Sequence, residues 1–258
     1  MRFRMLAGIM FVAMGTALPI TERAAAQSAP GTASRIAYES CYFDSWERYD
    51  YVCSIAVLAD GIETIVAPIG YGPKWSPDGG RIAFGGGYWD HDIKVMSLSD
   101  LSVYNLTYDA ASDWAPAWSP DGSTIAFVSD RSGTPELYRV NDDGTGLVPL
   151  TTAIGFDGQF AWSPDGLTIA LARRIAGESD LYRMNADGSS MVRLTSGLGG
   201  VGGIEWSPDS THIVFDCATE VCVINADTTG FAQLTTTTAR SPSSVGSLRE
   251  LSWLKLLI

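Results

Sequence analysis

Few residues in this 258-residue chain are equipped for chemistry, and its histidines number two, His91 and His212. His91 lies in Trp89-Asp90-His91-Asp92, where flanking carboxylates could orient an imidazole as a base or help it hold a metal. One His without partners falls short of a metal ligand set, so this segment reads first as a surface loop. His212 opens an apolar run and reads as structural. The patterns H-E-x-x-H and G-x-S-x-G do not occur, which removes the zinc-peptidase and nucleophile-elbow readings. Gly197-Leu198-Gly199-Gly200-Val201-Gly202 fits G-x-G-x-x-G in form, but no helical pattern follows it, as dinucleotide binding requires. Cys41, Cys53, Cys217 and Cys222 make no C-x-x-C. No catalytic residue, metal or cofactor is expected.

A second set of residues suits recognition. Trp46 and Tyr49, then Tyr88, Trp89, Asp90 and His91, then Asp109, Asp113 and Trp114, and finally Asp157 place aromatic rings beside acids in long connecting segments. Rings supply large contact area and acids select for charge. The whole chain carries 17 Lys+Arg against 29 Asp+Glu, a net charge of -12. That argues against nucleic acid or anionic lipid as a partner, since phosphates need neutralising cations. A neutral or cationic protein or peptide is expected instead. Asp109, Asp113 and Glu205 keep open carbohydrate or small-ligand binding, and glycosidase-type chemistry if two carboxyls face each other about 5–10 Å apart.

The first residues read as an export signal. Arg2 and Arg4 precede the apolar stretch Met5 to Ile20, and Ala24-Ala25-Ala26 supplies a small-residue cleavage site. The stretch is short for a membrane span and contains Gly8, Gly15 and Pro19. Cleavage after Ala26 would remove three Arg and one Glu, leaving residues 27–258 with a charge of -14. A periplasmic or secreted protein without stable membrane insertion follows, and an oxidising compartment favours disulfides among four cysteines. With 46% hydrophobic and 18% charged residues, disorder is excluded as the main state.

What must position the recognition residues is a repeat. Trp-Ser-Pro-Asp starts at Trp75, Trp118, Trp162 and Trp206, at spacings of 43, 44 and 44. Each copy continues with a β-rich run (Ile82-Ala83-Phe84, Ile125-Ala126-Phe127), a loop, a second run (Leu137-Tyr138-Arg139-Val140, Leu181-Tyr182-Arg183-Met184), a turn such as Asn141-Asp142-Asp143-Gly144 or Asn185-Ala186-Asp187-Gly188, and a third run ending in Leu-Thr. With the short segment ending in Trp, that makes four strands per unit and no helix. Pro and Gly in Ser-Pro-Asp-Gly fix a tight turn, so its Asp reads as a turn former rather than a calcium ligand. The repeated Trp reads as core packing between units.

Four strands at a period near 44 describe a propeller blade. The expected fold is all-β, a five-bladed propeller of four-stranded antiparallel blades. The blades would cover 72–107, 115–151, 159–195, 203–235, and 35–67 completed by 248–254, with Trp253 ending the closing strand. Residues 27–258 would form one domain and a monomer. Aligning the units puts each cysteine pair on one hairpin, Cys41 with Cys53 and Cys217 with Cys222. In such a meander, loops between second and third strands share a face with the blade-to-blade loops, and the aromatic and acidic residues gather there, Trp46 and Trp89 at mid-loop.

The units resemble the TolB-type β-propeller repeat in their WSPDG, IAF, SDR-x-G, LYxxN-x-DG and LT elements, with Ser129-Asp130-Arg131-Ser132-Gly133 the fullest match. The resemblance spans about residues 35–253. It implies a noncatalytic envelope module that binds protein or peptide. TolB also has an N-terminal α/β domain and a six-bladed propeller, and related propellers precede a hydrolase domain in serine peptidases. Neither extra domain is found between residue 26 and the first strand or within the repeats.

Overall fold

The computed structural model describes residues 27–28, 35–45, 50–60, 62–86, 91–152, 156–175 and 177–235. Among them all regular structure is β, and no helix is long and apolar enough to cross a membrane. Twenty strands form five antiparallel four-stranded sheets, each a meander in chain order. The first holds β1 (Gln27–Ser28), β2 (Arg35–Ser45), β3 (Asp50–Ala59) and β4 (Ile62–Ala67). The second holds β5 (Tyr71–Trp75), β6 (Arg81–Gly85), β7 (Ile93–Ser97) and β8 (Val103–Asn105). The third is β9 (Asp113–Trp118), β10 (Thr124–Ser129), β11 (Glu136–Asn141) and β12 (Val148–Pro149). The fourth is β13 (Phe156–Trp162), β14 (Thr168–Ile175), β15 (Glu178–Asn185) and β16 (Val192–Arg193). The fifth is β17 (Val201–Trp206), β18 (His212–Cys217), β19 (Glu220–Asn225) and β20 (Ala232–Gln233).

The sheets pack in series through apolar clusters that each bridge two neighbours. Ile125 and Phe127 of the third sheet meet Ala83, Ile93 and Val95 of the second, while Ala126, Val128 and Leu137 turn the other way onto Ile169 and Leu171. The period-2 alternation of the strands thus serves two interfaces at once. The tryptophans lock these interfaces. Trp118 Nε1 donates to the Lys74 carbonyl at 3.2 Å, Trp162 Nε1 to Ala117 at 3.3 Å and Trp206 Nε1 to Ala161 at 3.1 Å. In each case the acceptor precedes the Trp of the preceding sheet. Arg81 lies 4.6 Å from the Trp118 ring and pairs with Asp142 at 2.9 Å, adding a further link between second and third sheets. Gly188 is required: its φ is +86°, and a Cβ there would stand 2.6 Å from the Leu150 carbonyl of the preceding sheet.

The five sheets agree with the expected blade count, but a closed ring is not observed. Residues 248–254, assigned to the closing strand, lie outside the described residues. The edge of β2 meant for them is held over two residues by β1, with Gln27 opposite Ala37 and Ser28 opposite Ile36. Unpaired backbone groups on that edge attract the nearest extended segment. The first hairpin is also longer than expected. Its strands reach Ser45 and start again at Asp50, because Cys41 and Cys53 stand directly opposite in register and their disulfide clips the ladder together. Tyr42, Phe43 and Tyr51 therefore belong to strands. The second expected disulfide, Cys217–Cys222, ties β18 to β19.

The turn residues behave as turn formers. In each Ser-Pro-Asp turn the Ser hydroxyl donates to the Asp carboxylate two residues on, at 2.5–2.6 Å in Ser76–Asp78, Ser119–Asp121, Ser163–Asp165 and Ser207–Asp209. Hydrogen bonds of this kind hold several carboxyls below the ordinary range. Asp78, Asp121 and Asp209 are held by the turn serines, and Asp143, Asp187 and Asp227 by Thr145, Ser189 and Thr229. Asp209 is lowered to about 2, first by Ser207 and then by Thr211. A folded-state value below the unfolded one adds stability above the unfolded value, about pH 4, that disappears as pH falls through the folded one. The urea midpoint is therefore expected to hold from pH 7 to about 5 and to drop between about pH 4 and 2. A midpoint flat to pH 2 would contradict this.

Candidate functional site

The loop face is organised by a device repeated in four sheets. An acid immediately precedes each third strand's first apolar residue: Asp92, Glu136, Asp180 and Glu220. The Thr of each Leu-Thr element lies beside it. Thr107, Thr151, Thr195 and Thr235 each accept the amide of that apolar residue, from Ile93, Leu137, Leu181 and Val221, all at 2.9 Å. Thr151 and Thr235 donate their hydroxyl protons to Glu136 and Glu220 at 2.5 and 2.6 Å. Asp180 accepts from Thr195 and from Gly197 N, and pairs with Arg193. Glu136, Asp180 and Glu220 are therefore committed to holding the strand ends. The spacing of acid and Thr, 15 residues in every copy, was visible in the sequence as a signal that the Leu-Thr reading did not use.

Against this background the connection between second and third sheets differs. Arg131, in the turn after β10, reaches back to two acids. Its Nη1 stands 3.1 Å from Asp109 and its Nη2 3.0 Å from both oxygens of Asp113. Nε donates to Ser129 Oγ at 2.8 Å, and the guanidinium lies 5.4 Å from the Phe127 ring and 5.0 Å from that of Tyr138. Asp113 is fully buried. Its amide donates to the His91 carbonyl at 2.8 Å, so His91 and β9 are tied together. Beside this cluster a cleft of about 660 Å³ is lined by His91, Asp92, Asn105, Tyr108, Asp109, Ala110 and Ala111. Asn105 donates to Asp92 at 2.9 Å within it, and Tyr108 stands at its rim with 89% of its surface exposed.

The expected site residues fall into three groups. His91, Asp109 and Asp113 come together here. Trp114 is half-buried and packs toward the core between third and fourth sheets. Asp157 lies in β13, and its side chain is outside the described residues. Trp46, Tyr49, Tyr88, Trp89 and Asp90 also lie outside them. Sequence reasoning passed over Arg131, read only as part of a repeat motif, whereas Tyr108 belongs by sequence to the same loop as Asp109 and is the most exposed aromatic among the described residues. In the Asp109–Arg131–Asp113 grouping one guanidinium bridges two carboxyls, so the two acids meet through Arg131. Among the described residues, the group of close potential metal ligands is Glu39, Cys41 and Cys53, whose sulfurs are joined in a disulfide. Chemically the cleft offers hydrogen-bonding groups, one exposed ring and a rigid wall.

Among proteins with curated functions none matches the chain. Solved structures do. A TolB-type protein of Agrobacterium tumefaciens superposes with a TM-score of 0.58 at 25% identity, over 69% of this chain and 68% of its own. TolB of Acinetobacter baumannii gives 0.59 at 24%, over 76% of this chain and 50% of its own. A puromycin-hydrolysing peptidase of Mycobacterium tuberculosis gives 0.67 at 18%, over 84% of this chain and 38% of its own, a likeness of fold. The chain thus spans about two thirds of one of these relatives and half or less of the others. The sequence profile of the TolB beta propeller domain matches residues 30–158, half of the chain. With that profile, four WSPD turns and five meander sheets in hand, the chain belongs to the TolB β-propeller domain family.

Proposed function

We propose that the protein is an exported, noncatalytic propeller module that binds a protein or peptide of the cell envelope through the loop face between its second and third sheets. The observation that carries this is Tyr108, a large ring 89% exposed at the rim of a wall fixed by Arg131, Asp109 and Asp113. An exposed ring on a rigid base is the form of an interface anchor, since little entropy is lost when it is covered. The net charge of -12 favours a neutral or cationic partner. Export and a periplasmic or secreted location rest on the N-terminal signal pattern, and the two disulfides are consistent with them. A glycan or other small ligand is the second reading, favoured by a cleft volume within the range such ligands occupy.

The test is capture on immobilised, oxidised residues 27–258 from an envelope extract of the source organism. Tyr108→Ala is expected to reduce retention of the captured protein at least about tenfold, the effect of a moderate hot spot. A second control, Trp46→Ala with Trp89→Ala, examines the rest of the face. Equal retention by wild type and both controls would refute the loop-face assignment. No retained protein, with a thermal shift on adding oligosaccharides that Tyr108→Ala abolishes, would move the function to glycan binding.

A further inference from the structure

The outer edge of the first sheet differs from the other four. The outermost strands β8, β12, β16 and β20 have 3, 2, 2 and 2 residues, too short to template another strand, and β12 contains Pro149. β4 has 6 residues, Ile62 to Ala67, with neither Pro nor Lys. It pairs β3 along one edge, Ala59 opposite Ile62 through Ala56 opposite Ile65, and no described strand pairs its other edge. Its first four residues are exposed, including Ile62 at 69% and Ile65 at 51%. Glu63 and Ile65 share one side of the strand, and Ile62 and Thr64 the other.

We infer that β4 is a strand-addition site for an extended peptide segment of a partner protein, with apolar residues at alternate positions and a Lys or Arg aligned with Glu63. The chemistry follows from the edge itself. A free strand edge presents backbone donors and acceptors that only another extended backbone satisfies in full. Ile62 and Ile65 supply apolar contact on both sides of the added strand, and Glu63, whose carboxylate accepts a hydrogen bond from Tyr38 across β3, adds a negative charge on that side that favours a cation. A second copy of this chain is the poorer occupant, because each copy carries a net charge of -12 and two of them repel. This surface is separate from the loop face proposed above and does not depend on it.

The probe is a fluorescent eight-residue peptide of alternating Val and Lys, capped at both ends, titrated into residues 27–258 and followed by anisotropy and by amide hydrogen exchange. Saturable binding with slowed exchange confined to 62–67 is expected. The same peptide N-methylated at every residue should bind at least tenfold more weakly, because neither of its edges can donate to β4. The Ile62→Thr, Ile65→Thr double variant keeps strand-forming side chains and should also lose about tenfold. A peptide of alternating Val and Glu should bind more weakly than the Lys peptide. Equal binding of the N-methylated peptide would overturn the inference, since charge alone would then explain the association. So would the absence of exchange protection in 62–67, which needs no variant to read. Self-association in sedimentation that the double variant abolishes would also overturn it, in favour of a second copy.

Discussion

Replacing Arg131 by Ala is expected to destabilise the protein by about 3–5 kcal/mol, the range for removing one partner from a buried charge pair. Asp113 is fully buried and both of its carboxylate oxygens accept from Nη2 of Arg131, so the variant strands a carboxylate in the protein interior. Contact of the guanidinium with the Phe127 and Tyr138 rings is lost at the same time. Arg131→Lys keeps the charge but loses the planar fork that spans Asp109 and Asp113, and should cost less than the Ala change. The decisive comparison is the double variant Arg131→Ala, Asp113→Asn, read by urea denaturation. If the loss comes from the uncompensated charge, the second substitution restores much of it. Additive losses would show that Arg131 acts mainly through packing. Function should follow the same order, because Arg131 holds Asp109, the neighbour of Tyr108, and Asp113, whose amide holds the His91 carbonyl.

Trp118→Ala should be comparably severe, again about 3–5 kcal/mol, by removing a buried ring between two sheets. The indole is 7% exposed and packs in the cluster of Ile93, Ile125 and Phe127. It also covers the approach of Arg81 and donates to Lys74 O. Trp118→Phe keeps most of the packing and removes the hydrogen bond, so about 1 kcal/mol of loss from that source is expected. The two variants separate volume from hydrogen bonding. Native-state hydrogen exchange adds a spatial test: Trp118→Ala should raise exchange in the second and third sheets more than in the fifth. Uniform loss across all five would mean the sheets unfold as one unit.

Much of this architecture was legible because its signals are local and repeated. The WSPD period placed four inner strands, the Pro and Gly of the turns fixed where the chain reverses, and alternation placed Ile125 and Phe127 on one side and Ala126 and Val128 on the other. Aligned units also paired the cysteines. The first sheet was read less well, since it has no WSPD turn to anchor it, and the reach of its hairpin depends on a cross-strand register that local propensity does not encode. At the site, acids were read as partner-facing because acids are usually exposed. Asp113 is buried, and what makes that tolerable is Arg131, 18 residues away in the turn after β10. Such pairing is a property of the fold, whereas the 15-residue acid–Thr spacing recurred in the sequence and could have been found there.

The indole bonds have a consequence for how such a chain changes length. Each repeat from Trp118 onward offers an N–H to the preceding repeat, and the acceptor is the carbonyl just before that repeat's own Trp. A single unit therefore carries both halves of the junction, donor and acceptor. Duplicating one repeat unit inserts a blade whose two new seams already match, with no compensating substitution elsewhere. Losing one unit rejoins seams that match equally well. Blade number in such an array is thus open to change by single genetic events, while the loops at each junction diversify independently.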